Sequence, residues 1–163
     1  MLALCAACAS PEIFEEGLVF DPCLTTNLRY DTSASSAEIA QIHEAAAMWN
    51  REVGSRLQAS LEDIGSDNTI PVHFEPAAGN FYGIYEPSTG EIFVNSKLPS
   101  EQSRRITLAH ELGHAFGLQH VSGDLSLMNS GNLETQITTR DVASLASLWG
   151  SCNQAPLAEE AWR

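Results

Sequence analysis

The chain has 163 residues, 44% hydrophobic and 18% charged, which fits one globular domain with a sizeable core and excludes a disordered chain. Its 21 acidic and 8 basic residues leave a formal charge of −13, with no basic stripe to neutralise phosphates, and so exclude nucleic acid as a partner. No stretch is long and apolar enough to span a bilayer.

The chain opens on "MLALCAACAS", apolar, uncharged and rich in small residues. Residues 1–9 read as the remnant of an export signal, with Ala7-Cys8-Ala9 as an A-x-A-like cleavage site. Leu4 to Cys8 also resembles a bacterial lipobox, which would make Cys8 a lipid anchor, although Cys5 stands where that pattern takes an aliphatic residue. A third reading is the apolar N-terminus of a cytosolic protein. The expected location is outside the cytoplasm: secreted, periplasmic or a membrane-anchored lipoprotein. The expected organisation is the leader remnant at 1–9, one domain at 10–155 and a loose tail at 156–163.

Residues 10–27 form an extended lead-in broken by Pro11 and Pro22, and 27–31 a short first strand. "SAEIAQIHEAAAMWNREVG" follows with Ile39, Ile42, Ala46 and Trp49 at helical spacing, Ser36 as its cap and Gly54 beyond its end. Segments 56–60, 70–77, 81–86 and 91–96 have strand character, the last two joined by the turn-forming "PSTG". A second long helix begins after Pro99 with Ser100 as its cap and runs into "HELGHAFG". The third, "TTRDVASLASLWG", opens on a Thr138-x-x-Asp141 capping box and closes at Gly150.

The chemistry concentrates in "HELGHAFGLQH", residues 110–120. On a helix His110 and His114 share one face, being four residues apart. His120 would lie about 15 Å further along the axis than His110 at ~1.5 Å rise per residue. Zinc takes imidazole nitrogens at roughly 2.0–2.1 Å, so His120 can join them only if the helix ends and the chain turns back. Gly117 sits where that turn must come, and glycine takes the left-handed conformation without steric cost. Three neutral imidazoles leave a fourth tetrahedral position for water, the mark of a catalytic zinc site. Glu111, beside a ligand but not one, is the candidate general base. His43 and His73 have no ligand-spaced partner, so one Zn2+ per chain is expected.

The pattern His110-Glu111-x-x-His114-x-x-Gly117-x-x-His120, with Met128 eight residues on in "SLMNSG", resembles the metzincin clan of zinc peptidases and its matrixin branch. The order of elements is similar over residues 26–150. The resemblance implies an α+β single domain: a twisted, mainly parallel five-stranded sheet with an antiparallel edge strand, packed with three helices. It implies His110, His114 and His120 as zinc ligands, Glu111 as base and Met128 as the hydrophobic floor beneath the metal. It further implies a peptide substrate extended along the edge strand at Tyr82, Gly83, Ile84 and Tyr85, cleaved by a monomeric endopeptidase. Asn129-Ser130 departs from relatives that carry an assisting tyrosine after the methionine, and no cysteine-switch pro-domain or zinc-and-calcium segment is recognisable. The alternative is a catalytically silent, metal-stabilised peptide-binding module, against which Glu111 speaks.

Four cysteines permit three pairings. Once the leader is removed only Cys23 and Cys152 remain, and in an oxidising compartment they would pair most simply. The other readings are two unrelated buried thiols, or Cys23 as a thiolate capping the zinc.

Overall fold

Ser35 begins the first helix: its hydroxyl accepts from the Glu38 amide while the Glu38 carboxylate takes the Ser35 amide, a reciprocal capping box. This corrects the expected cap at Ser36, whose third following residue, Ile39, has no oxygen to return. The computed structural model describes residues 17–152. The expected leader remnant (1–9, with Cys8) and tail (156–163) lie outside the described residues.

The elements are β1 (Thr25–Arg29), α1 (Ser36–Val53), β2 (Arg56–Ser60), β3 (Thr69–Glu75), β4 (Gly83–Glu86), β5 (Glu91–Asn95), α2 (Glu101–Ala115) and α3 (Thr139–Trp149). The sheet order is β2-β1-β3-β5-β4, parallel throughout except for β4, which runs antiparallel to β5 at the edge. The fold is therefore α+β, a mainly parallel five-stranded sheet with an antiparallel edge strand and three helices. β1 lies two residues earlier than the sequence suggests, because Thr26 and Leu28 supply buried side chains and Tyr30 already turns partly outward.

Alternation in β3 and β5 buries Ile70, Val72, Ile92 and Val94 in one core with α2, whose Ile106, Leu108, Ala109 and Leu112 are fully covered. Trp49, on the buried face of α1, donates its indole N–H to the Ala109 carbonyl at 2.9 Å and stands edge-on to Phe116. That bond reaches the turn of α2 immediately before His110. Ser100 caps α2 by accepting the Ser103 amide.

Cys23, just ahead of β1, and Cys152, just beyond α3, form a disulfide separated by 129 positions. It staples the two ends of the described fold. Reduction, or a Cys23→Ala, Cys152→Ala double substitution, is expected to lower stability by about 4–5 kcal/mol in the chain-entropy account. Urea unfolding of both forms measures this; equal midpoints would show that the cross-link constrains nothing.

Candidate metal centre

α2 stops at Ala115 through a Schellman turn. Gly117, at φ +91°, donates its amide to His114 O at 2.8 Å, and Leu118 donates to Gly113 O at 2.9 Å. The chain then doubles back and is tied down beyond the turn, where Val121 N donates to Met128 O at 3.0 Å. These bonds bring His120 to His110 and His114. Its Nε2 lies 3.0 Å from His110 Nε2 and 3.2 Å from His114 Nε2.

Nitrogens on a tetrahedral zinc, each at ~2.0–2.1 Å from the ion, stand roughly 3.3 Å apart, close to the spacing seen here. The tautomers agree. His110 Nδ1 meets the Leu127 carbonyl at 2.7 Å and His114 Nδ1 meets the Leu118 carbonyl at 2.7 Å. A carbonyl accepts only, so each Nδ1 carries the proton and each Nε2 turns its lone pair inward. Burial keeps both rings neutral: it lowers the His110 pKa, and with the neighbouring His110 it pushes His114 down to about 4. Converging neutral lone pairs repel one another unless a cation sits among them. The three residues could hold a metal ion.

Glu111 is buried beside them and bonds to none of the three. Its Oε2 accepts the Tyr85 amide of β4 at 2.9 Å. Burial pushes its carboxyl up to about 7, the Tyr85 bond opposing the rise. The histidines and Glu111 line a cleft of about 450 Å³ together with Tyr82–Tyr85 and Ser130–Asn132.

The edge-strand residues do not all face this cleft alike. Tyr82 precedes β4, and its carbonyl accepts the Asn95 amide at 2.8 Å. The alternation this sets turns the backbone groups of Ile84 toward β5 and those of Gly83 and Tyr85 away from it. Of the four residues expected to carry substrate, Gly83 and Tyr85 present the outer edge, and Tyr85 N–H is engaged by Glu111. A β-carbon on Gly83 would stand 2.6 Å from Thr107 Cγ2 and 3.1 Å from Glu111 Oε1, so glycine lets β4 close onto α2.

Met128 is buried against Gly113, where a β-carbon would stand 2.4 Å from its sulfur. The glycine of "HELGH" is therefore a seat for this methionine, a role the motif alone does not display. Asp141 was read only as the cap of α3. It does accept the Thr138 amide at 2.8 Å, but the same carboxylate takes the Ser126 hydroxyl and the Leu127 amide at 2.9 Å. His43 stands edge-on to Tyr30, and His73 stacks on Phe93, both away from this centre.

Fold and site together define a zinc metallopeptidase-like domain. The chain belongs to the peptidase family described as IrrE N-terminal-like domain (Peptidase M78), whose family model matches residues 42–143. That span runs from within α1 to the start of α3 and includes all three histidines. No relative was found among curated proteins.

Asp141 carries a pH signature. Its hydrogen bonds outweigh burial and hold its pKa below the ordinary 3.8. A depressed folded pKa stabilises fully above the unfolded value, and that stabilisation is lost as pH falls through about 4 and below. Asp141→Asn is expected to cost about 1.5–3 kcal/mol at neutral pH, the contribution of hydrogen bonds to a charged group, and to flatten the acid limb. Urea unfolding from pH 3 to 7 tests this; parallel curves for the two proteins would contradict it.

Proposed function

We propose that this protein is a zinc-dependent endopeptidase of matrixin-like metzincin type, with His110, His114 and His120 holding one zinc ion and Glu111 acting as general base. The observation that carries the reading is one cleft lined by three converging imidazoles and by a buried carboxylate outside their set. When bound, zinc supplies a Lewis acid that polarises a peptide carbonyl and makes water acidic enough to attack near neutral pH. Glu111 accepts the proton of the attacking water and later delivers it to the leaving amine. The Tyr85 amide holds one carboxylate oxygen, which fixes the direction in which the other can receive that proton.

Substrate in this reading extends along the outer edge of β4, pairing with Gly83 and with the Tyr85 carbonyl. With no tyrosine at Asn129-Ser130, stabilising the oxyanion would fall to backbone amides and to the ion that the three histidines would hold. Export with loss of residues 1–9 completes the reading, and the Cys23–Cys152 bond supports an oxidising compartment.

Glu111→Gln keeps the shape of the carboxylate and removes its basicity. It should retain zinc and lose ~10²–10⁴ in kcat/KM, the contribution of a positioned acid–base group. His114→Ala should lose both zinc and activity. Hydrolysis of a mixed peptide library, with zinc content measured alongside, decides between the readings. A silent binding module would bind peptide equally in wild type and Glu111→Gln and cleave in neither.

Gly83→Ala probes the edge strand. The added methyl meets Thr107 and Glu111 and must part β4 from α2. The expected outcome is unchanged zinc content with kcat/KM lowered by about tenfold or more, since small misplacements at a reacting centre are costly. Wild-type kinetics in a folded Gly83→Ala variant would count against this placement.

A further inference from the structure

The cap of α3 contains more acceptor contacts than a helix needs. Asp141 is buried, and its two oxygens serve different partners. Oδ2 joins the cap to the turn before Met128, taking Thr138 N at 2.8 Å, Thr138 Oγ1 at 2.7 Å and Leu127 N at 2.9 Å. Oδ1 accepts the Ser126 hydroxyl, and Ser126 Oγ in turn accepts the Met128 amide at 2.9 Å, the same amide lying 3.4 Å from Oδ1 itself. That N–H belongs to the same peptide group as the Leu127 carbonyl, and the Leu127 carbonyl is the acceptor for His110 Nδ1 at 2.7 Å.

Every donor in this chain points the same way. His110 Nδ1–H donates to the Leu127–Met128 peptide, the peptide N–H donates to Ser126, and Ser126 O–H donates to the Asp141 carboxylate. An anion at the end of such a chain polarises each link, and a peptide whose N–H is engaged becomes a better acceptor at its oxygen. A histidine that gives its second N–H to a strong acceptor is fixed in tautomer and orientation and becomes a more basic ligand. Asn132 Nδ2 also donates to the Leu127 carbonyl, at 3.1 Å, which fixes that oxygen from a second side.

We propose that Ser126 and Asp141 are positioning residues for His110, acting through the Leu127–Met128 peptide to orient the ring and strengthen its Nε2 as a metal donor. The inference rests on the metal-site reading above. It makes the "T-x-x-D" start of α3 an outer support of the metal centre as well as a helix cap.

The test compares zinc affinity, by competition with a chromophoric chelator, in the full disulfide-bonded chain. Ser126→Ala removes the hydroxyl that carries the relay, leaving only the long Met128 N–H contact to Asp141 at 3.4 Å, and keeps both contacts of Asp141 with Thr138. It is expected to weaken zinc binding about 10- to 100-fold, the usual effect of removing such an outer partner. Thr138→Val removes a hydroxyl from the other oxygen of the same carboxylate. It should lower the melting temperature while leaving zinc affinity within about twofold, and a merely structural Asp141 would instead make affinity follow stability in both variants.

A second measurement needs no variant. Nitrogen-15 NMR of the metal-free wild type should show His110 wholly in the Nδ1–H tautomer. A mixture of tautomers at His110, or equal zinc affinity in folded Ser126→Ala and wild type, would overturn the relay alone. Absence of zinc binding by wild type would overturn the relay and the metal-site reading together.

Discussion

Three imidazoles whose Nε2 atoms approach within 3.0–3.2 Å are an arrangement no chain adopts for its own sake. His110 and His114 turn lone pairs inward and are withdrawn from water, while His120 meets them from the exposed side. The folded protein must hold them there by contacts on the far sides of the rings. His110 and His114 are held by backbone carbonyls at Nδ1, from Leu127 and Leu118, and both carbonyls lie in turns rather than in regular elements. The turns are fixed in their own right: one by Gly117 and the closing bonds of α2, the other by Asp141. Much of the chain from 113 to 141 therefore acts as a brace for three side chains.

The brace connects to the core at two points. Trp49 reaches from α1 to the Ala109 carbonyl, and Trp149 at the end of α3 donates to the Phe116 carbonyl at 2.8 Å. Both bonds end on carbonyls of α2 or its cap, one just before His110 and one just after His114. A helix terminus otherwise leaves its last carbonyls without partners, so an indole N–H at Phe116 satisfies a group that Gly117 has freed. The edge strand contributes on the third side. Because β4 is antiparallel to β5, alternate amides point outward, and the one at Tyr85 meets Glu111. A single backbone N–H thus links the strand that would carry substrate to the carboxylate that would move the proton.

Sequence reasoning reached the parts of this design that depend on spacing. The three helices, the turn at Gly117 and the antiparallel edge follow from periodicity, glycine conformation and a short turn, together with the resemblance that ordered the strands. Local detail was less visible wherever two neighbours compete for one role. Ser35 and Ser36 are the same residue type, and only the partner three positions on separates them. Tyr82 and Ile84 look equivalent to Gly83 and Tyr85 in an apolar run, yet the pairing register gives them opposite directions. Gly113 reads as a weak point in a helix until Met128, fifteen positions later, is laid against it. Asp141 is the clearest case. Its capping role is local and legible, whereas its bonds to Ser126 and Leu127 span a fold-dependent distance that no motif encodes.

The position of the disulfide acquires meaning from the same helix. α3 is fixed at its start by Asp141, which joins it to the turn carrying Met128, and its last residue is fixed by Trp149 against Phe116. Just beyond, Cys152 joins Cys23 at the entry to β1. Few α3 side chains are fully buried, Leu145 and Asp141 among them, so apolar packing alone holds this helix weakly. An element with little buried surface is the kind that opens first in a native protein. Were α3 to detach, the Asp141 carboxylate would leave the Met128 turn, and with it the support of the Leu127 carbonyl. The cross-link lies far from the histidines, but by keeping α3 seated it guards the residue on which the orientation of His110 depends.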